Sequence, residues 1–183
     1  MNPFINIEEQ IDANLKLRGY TELTSIQKAI IEKEITGRDA IVSAQTGSGK
    51  TIAFGLSIVS NIPNNNNNKF KKPPSVLIIA PTRELALQVQ NELDWLYSKT
   101  SICIVSCVGG MDMRTEKRNL KKFPDIILGT PGRLKDYLER EVINLSKVKV
   151  VVLDEADEML NLGFREELEY ILSQTPKEKR TLL

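Results

Sequence analysis

Histidine is absent from this 183-residue chain, and cysteine occurs only twice. Without histidine, the sequence excludes Ser-His and Cys-His catalysis and metal sites built on imidazole. Cys103 and Cys107 lie four positions apart in an apolar run, about 13 Å along a strand. The Cα atoms of a disulfide must lie within about 7 Å of each other. Both cysteines are therefore predicted to be free thiols buried on one face of a strand.

Other absences concern the surroundings of the protein. No apolar run approaches the roughly 20 residues of a membrane-spanning helix, and no secretory signal opens the sequence. We therefore expect a cytoplasmic protein with no membrane partner. The formal net charge is only +1, so any binding of nucleic acid must come from a local patch rather than from a global field. The length and a hydrophobic fraction of 41% suffice for one globular domain.

Apolar runs of strand length alternate with helical patterns along the chain. Strands are predicted at 40–42, 76–80, 102–108, 126–128 and 148–153, and 181–183 is expected to be the opening of a further strand. Helices are predicted at 25–35, 52–61, 83–96, 112–121, 133–140 and 164–172, after a partly helical start. Nearly continuous Val, Ile and Leu strands separated by helices predict an α/β fold, with a parallel sheet covered by helices on both faces. The asparagine-rich, basic segment 64–74 is predicted to be a surface loop.

A glycine-bearing turn follows the first predicted strand and opens a predicted helix. Its residues are Ala44, Gln45, Thr46, Gly47, Ser48, Gly49, Lys50 and Thr51. Such a turn between a strand and a helix holds a nucleoside triphosphate, because N–H groups at the helix start point at the phosphates. Lys50 would reach the β- and γ-phosphates, and the Thr51 hydroxyl would ligate Mg²⁺. The structural alternative is a solvated Gly/Ser turn, and Ala44 departs from the Gly that opens the general pattern.

Two adjacent carboxylates follow the strand predicted at 148–153. Ligands of open α/β sheets bind at the carboxyl ends of the strands, so Asp154 and Glu155 are predicted to lie beside the turn at 44–51. Asp154 would hold Mg²⁺, and Glu155 would orient and deprotonate the water that attacks the γ-phosphate. The alternative is an acidic pair that caps the following helix, since Asp favours helix starts.

These two segments, together with four others in the same order, resemble the DEAD-box RNA helicase family. Residues 154–157 spell the family signature Asp-Glu-Ala-Asp, and 44–51 is similar to its motif I, in which Ala is the usual first residue. The other matches are 19–27 with the adenine-reading Q motif, 81–86 with motif Ia, Gly109 and Gly110 with the glycine pair, and 130–133 with motif Ib. The resemblance implies that residues 1–183 are an N-terminal RecA-like domain of P-loop NTPase fold.

The resemblance implies ATP and Mg²⁺ as ligands. Gln27 would read adenine, since its amide can donate to and accept from one edge of the base. Phe4 is the candidate for the aromatic that the family stacks on the base, although it lies slightly closer to Gly19 than the family pattern. Lys50 and Glu155 would be the catalytic residues. The predicted ATP contacts are Tyr20, Gln27, Ala44, Gln45, Thr46, Gly47, Ser48, Gly49, Lys50 and Thr51, and the predicted Mg²⁺ ligands are Thr51 and Asp154.

The resemblance also implies RNA as a partner, bound mainly through its backbone. N–H groups and hydroxyls at helix starts fix the position of a phosphodiester, and an arginine fork holds its oxygens. Taken alone, each Pro or Gly in these segments could mark only a helix start. The predicted RNA contacts are Pro81, Thr82, Arg83, Gly110, Thr130, Pro131, Gly132 and Arg133.

In the family, the residue at Asp157 couples the nucleotide site to a Ser-Ala-Thr motif expected after Leu183. A second RecA-like domain of the same protein would supply arginine fingers, each worth ~10³–10⁵ in rate. The domain alone is therefore expected to be nearly inactive as a helicase and ATPase. Two alternatives stay open: a non-catalytic RNA- or nucleotide-binding module, and a related helicase acting on DNA. Intact Lys50, Asp154 and Glu155 argue against the first, and the Gln27 segment and Ala156 argue against the second.

Overall fold

The computed structural model describes residues 9–32, 35–43, 47–62 and 72–183. Its strands are β1 Val76–Ile79, β2 Ile104–Cys107, β3 Ile126–Gly129, β4 Val150–Leu153 and β5 Arg180–Leu182. They form one parallel sheet in the order β2-β3-β1-β4-β5. The first predicted strand, 40–42, adds to the outer side of β5 through a single bridge between Ala40 and Leu182. The predicted parallel sheet is thus confirmed.

Eight α-helices occur within the described residues. They are α1 Glu9–Leu17, α2 Ser25–Ile30, α3 Lys50–Ile58, α4 Arg83–Leu96, α5 Met113–Leu120, α6 Pro131–Glu139, α7 Ala156–Asn161 and α8 Arg165–Ser173. The prediction matches α4 at both ends, whereas α2 ends five residues before the predicted position. It missed α7, because six residues are too few for a helical period to show. None of the described helices has the length and apolar character needed to cross a bilayer.

The apolar core lies on both faces of the sheet. Alternate strand residues point to opposite faces, so Val76 and Ile78 join one buried cluster while Leu77 and Ile79 join the other. Residues of α1 to α4 complete the first cluster, and residues of α6 to α8 complete the second. The prediction of helices on both faces is therefore confirmed.

A buried arginine holds the segment before the first glycine turn in place. Arg180, 5% exposed, donates from Nε to the carbonyl of Arg38 at 2.6 Å. Its Nη1 donates to the carbonyl of Ser57 at 3.1 Å, and its Nη2 donates to that of Ile35 at 3.3 Å. Burial lowers the pKa of Arg180, but an arginine stays charged at neutral pH. These bonds tie β5 to the end of α3 and to the residues just before segment 40–42.

Four strands end in register at the carboxyl edge. Ile79 of β1 lies opposite both Gly129 of β3 and Leu153 of β4, and Cys107 of β2 also lies opposite Gly129. Because neighbouring strands are about 4.8 Å apart, the four loops that follow emerge within about 15 Å of one another. Cys107 is buried and free, as predicted, but Cys103 precedes β2 and is only partly buried. The prediction of burial was wrong for Cys103, because the strand begins one residue later.

Candidate functional site

The turn before α3 leaves the start of that helix open to a ligand. Gly49 is its N-cap, with φ at 86° and no side-chain cap, a backbone conformation that glycine adopts without steric cost. The first N–H groups of a helix have no partner within the helix. Ser48 Oγ is buried and has no hydrogen-bond partner among the described residues. The unpartnered hydroxyl and the open helix start fit an anionic ligand; residues 44–46 of the predicted site lie outside the described residues.

Gln27 of α2 lies directly against this turn. Its side chain is 1% exposed, and Nε2 donates to the Gly49 carbonyl at 3.3 Å. Its Oε1 accepts from the Thr24 N–H at 3.0 Å, in a capping box. The Thr24 hydroxyl donates to the Ser48 carbonyl at 3.4 Å. The structure thus brings Gln27 to the predicted site, where adenine recognition stays a prediction, and adds Thr24, which the Thr-x-x-Gln capping spacing could have indicated.

Tyr20 makes its described ring contact away from this turn. Its ring centroid lies 6.1 Å from that of Trp95, whose ring is covered by the Arg18 guanidinium at 4.8 Å. Because α4 begins at the carboxyl edge, Trp95 lies about 18 Å along the helix from its first residue. The structure shows Tyr20 packed on the end of α4, and an ATP contact of this residue stays a prediction.

Asp154 and Lys50 lie close enough to interact. The Asp154 N–H donates to the Ile79 carbonyl at 2.9 Å, which fixes the loop at the end of β4. Burial raises the pKa of the Asp154 carboxyl above its ordinary 3.8, and the Lys50 charge opposes that rise. An opposite charge has this effect only at short range. Segment 40–42 also runs parallel to β5, which pairs with β4, so the glycine turn emerges at the same edge of the sheet as Asp154.

Glu155 has a strained backbone and a side chain that does not cap a helix. Its φ of 53° and ψ of 54° are left-handed, and it stands at the N-cap of α7 without a side-chain cap hydrogen bond. Such a conformation costs a residue other than glycine about 1–3 kcal/mol; Phe123 and Glu141 also have a positive φ. The helix-capping alternative is therefore not supported for Glu155. Asp157 is exposed in the first turn of α7.

The residues at this site fit a magnesium ion held jointly with a phosphate ligand. Mg²⁺ in phosphate sites is usually bound by one or two carboxylates, substrate oxygens and water. Asp154 supplies a buried carboxylate, and Thr51 supplies a half-buried hydroxyl in the first turn of α3. Across the residues that the structure describes, no cluster of three or more acidic, cysteine or histidine side chains could hold a metal. A cation here would offset the buried charge of Asp154.

The predicted RNA residues lie on three neighbouring loops of the same edge. Thr82 and Arg83 are exposed at the start of α4, and Thr82 Oγ1 accepts from the Leu85 N–H at 3.2 Å. Arg83 lies against Gly110, since a Cβ at Gly110 would be 2.7 Å from Arg83 Nη1. Thr130 makes no side-chain cap at the start of α6. Gly132 is exposed, while Pro81 and Pro131 are buried and shape their loops.

Arg133 is held by a buried polar network beneath this surface. Its Nη1 lies 3.3 Å from Glu116 Oε2, and the guanidinium covers the Tyr137 ring at 5.4 Å. Glu116, 2% exposed, also accepts from the Tyr137 hydroxyl and from the Val108 N–H at 3.0 Å. Burial and the Glu116 charge raise the pKa of Tyr137 to about 12, so its hydroxyl stays a donor. With Arg133 so engaged, its contact with phosphate stays a prediction.

Gly110 offers a test of this surface. Gly110→Ala is expected to lower the free energy of unfolding by about 1–2 kcal/mol, because φ is +76° and the new methyl group would displace Arg83. Urea denaturation measures the loss. Gly109→Ala is the matched control, since its Cβ would meet nothing within 4 Å, and it should change stability by at most about 0.5 kcal/mol. If both variants lost the same free energy of unfolding, neither the backbone angle of Gly110 nor its contact with Arg83 would matter for stability.

The fold and the residues at the carboxyl edge of the sheet define a class of protein domain. A parallel α/β sheet with a glycine turn before a helix, and a carboxylate at a nearby strand end, describes a RecA-like domain. Residues 24–183 match the sequence profile described as DEAD/DEAH box helicase. The chain belongs to this family, which confirms the resemblance found in the motifs.

Individual relatives agree with the family match. The chain is 43% identical to the ATP-dependent RNA helicase CshA of Limosilactobacillus reuteri, over 98% of this chain and 35% of that protein. It is 44% identical to CshA of Listeria monocytogenes, over 97% of this chain and 33% of that protein. A crystal structure of a DEAD box protein from the hyperthermophile Methanococcus jannaschii superposes with a TM-score of 0.87 at 36% identity, over 98% of this chain and 48% of that one. The chain thus spans about a third of the length of the CshA relatives.

Proposed function

We propose that this domain is the ATP-binding half of an ATP-dependent RNA helicase, which couples RNA-stimulated ATP hydrolysis to local unwinding of RNA duplexes. The observation that carries the proposal is that the glycine turn and the Asp154 strand end follow parallel-paired segments to one edge of the sheet, beside three neighbouring loops with exposed hydroxyl, arginine and glycine residues. The names of the CshA relatives support it. We place this activity in the cytoplasm.

In this proposal the chain grips ATP from two strand ends. Lys50 and the N–H groups at the start of α3 bind the phosphates, with residues 44–46 completing the turn. Thr51 and Asp154 would hold Mg²⁺, which would neutralise charge on the phosphate oxygens. Glu155 accepts the proton of the water that attacks the γ-phosphate. Gln27 reads adenine. To do so, its amide gives up its hydrogen bond to the Gly49 carbonyl and bonds to the base instead.

RNA lies across the loops that follow β1, β3 and β2 in this proposal. Their hydroxyls, N–H groups and Arg83 contact the phosphodiester backbone, so binding does not depend on base sequence. A second RecA-like domain would close over ATP and RNA and reopen after hydrolysis, a shift in population driven by differential binding. Asp157, which is exposed, would transmit the state of the nucleotide to that domain.

Lys50→Ala in the full-length protein tests the proposal. RNA-stimulated ATP turnover is expected to fall by roughly 10²–10³-fold, as when one preorganised electrostatic donor is removed. A steady-state phosphate-release assay with RNA or DNA of equal length measures it. The control is Lys99→Ala, which changes an exposed lysine beyond the far end of α4. Unaltered turnover in the Lys50 variant would refute the proposal, and equal stimulation by DNA would favour the DNA-helicase alternative.

A further inference from the structure

The surface of helix α5 is strongly basic, although the chain as a whole is nearly neutral. The helix and the two residues after it carry five exposed cations, namely Arg114, Lys117, Arg118, Lys121 and Lys122. Two acids lie in this stretch or directly before it. Glu116 faces inward and is 2% exposed, and Asp112 caps the helix through the N–H groups of Arg114 and Thr115. The outward face is therefore cationic over its full length.

Helix stability explains only part of this pattern, because Lys117 and Arg118 lie in the last turn, where cations favour the helix dipole. Arg114 and Arg118 are spaced four apart, as are Lys117 and the C-cap residue Lys121, so like charges are neighbours on the helix surface and destabilise it. None of the five forms a salt bridge with another residue of the described ranges. Cations that repel one another and form no salt bridge fit an anionic ligand that neutralises them.

The basic face of α5 is continuous with the carboxyl edge of the sheet, where RNA is proposed to bind. α5 begins three residues after Gly110, and it follows β2, the outermost strand on that side of the described sheet. The eight residues of α5 extend about 10 Å away from the edge. The face offers long flexible cations and no group fixed for reading a base, which suits phosphodiester oxygens.

We propose that the outward face of α5 is a second RNA-backbone surface, which extends the site beyond the three loops of the carboxyl edge. The inference rests on the proposed function, since the edge itself must bind RNA. RNA that leaves the loop at Gly110 then continues along Arg114, Lys117 and Arg118 toward Lys121. The contact lengthens the bound stretch of RNA and adds affinity without sequence preference.

A charge-matched pair of variants of the full-length protein tests this inference. The triple change K117Q/R118Q/K121Q removes three cations and keeps good helix formers. The control K147Q/K149Q/K177Q removes three exposed lysines near the amino ends of β4 and β5, at the opposite edge. Each protein binds a 20-nucleotide oligouridine with a non-hydrolysable ATP analogue, at several salt concentrations. Circular dichroism and ATP affinity verify that each variant is folded.

The α5 variant is expected to bind this RNA at least about tenfold more weakly, with the slope of log affinity against log salt reduced by about 2, or about 0.7 for each lost phosphate contact. The control should stay within twofold of the unmodified protein. The inference is overturned if the α5 variant keeps the original affinity and slope, or if the control loses as much. Should the triple variant not fold, Lys117→Gln and Arg118→Gln are measured singly, each with an expected slope change of about 0.7. If the unmodified protein bound no RNA, the proposed function would fail instead.

Discussion

Replacing Glu155 with Gln in the full-length protein is expected to lower RNA-stimulated ATP turnover by about 10²–10⁴-fold, the usual contribution of a general base. Glutamine has nearly the same shape and can still orient a water molecule, but it cannot take the proton of that water. The Glu155 side chain does not cap α7, so the helix should stay intact. ATP should therefore bind nearly as well as before.

Two measurements separate chemistry from binding in the Glu155 variant. Calorimetry gives the affinity for ATP, and single-turnover phosphate release gives the rate of the chemical step. Glu158→Gln is the control, because Glu158 is an exposed acid in the first turn of the same helix. Retention of more than about a tenth of the turnover by the Glu155 variant would remove Glu155 from its assigned role.

The second large effect is expected from Glu116→Ala, which should lower the free energy of unfolding of the 183-residue chain by about 3–5 kcal/mol, as when one partner of a buried ion pair is removed. The Val108 N–H and the Tyr137 hydroxyl would lose their acceptor. Arg133, whose side chain is only 12% exposed, would lose its counter-charge. Urea denaturation measures the change.

Two further variants show whether this loss comes from the network. Glu116→Gln keeps an acceptor for Val108 and Tyr137, so it should destabilise the chain less than alanine does. Glu139→Ala changes an exposed acid at the end of α6 and should stay within about 0.5 kcal/mol of the unmodified chain. A loss below about 1 kcal/mol for Glu116→Ala would mean that water replaces the missing carboxylate.

Much of the fold could be predicted from the sequence, because its determinants are local. The helix at 83–96 shows a clear apolar period and an N-cap threonine, and both ends of α4 were predicted correctly. The strands are runs of Val, Ile and Leu that parallel sheets bury on both faces. Segment 40–42 was expected to be a strand, but it forms only one bridge with β5. The local sequence does not show how far a segment at the edge of a sheet pairs with its neighbour.

The sequence segments that form the site could be predicted, but the contacts between their side chains could not. The glycine turn and the acidic strand end meet because the topology of parallel sheets requires it. The burial of Glu116 was missed, since a single acid in a basic helix resembles a solvated residue. Its environment is set by Arg133 and by Tyr137, which is 21 positions away in the chain. The contact between Gln27 and Gly49 also depends on how two helices pack.

The parallel arrangement of the sheet has a consequence for how a ligand protects the protein. Every pair of adjacent strands in the described sheet is parallel, so each pair is joined through a crossover or comes from distant parts of the chain, and none of these strands can form an early hairpin with its neighbour. Lys50 and Asp154 come from opposite halves of the chain. A partly unfolded form therefore loses the contact between the two halves of the nucleotide site. A bound nucleotide should for that reason slow hydrogen exchange across the entire sheet rather than at one loop.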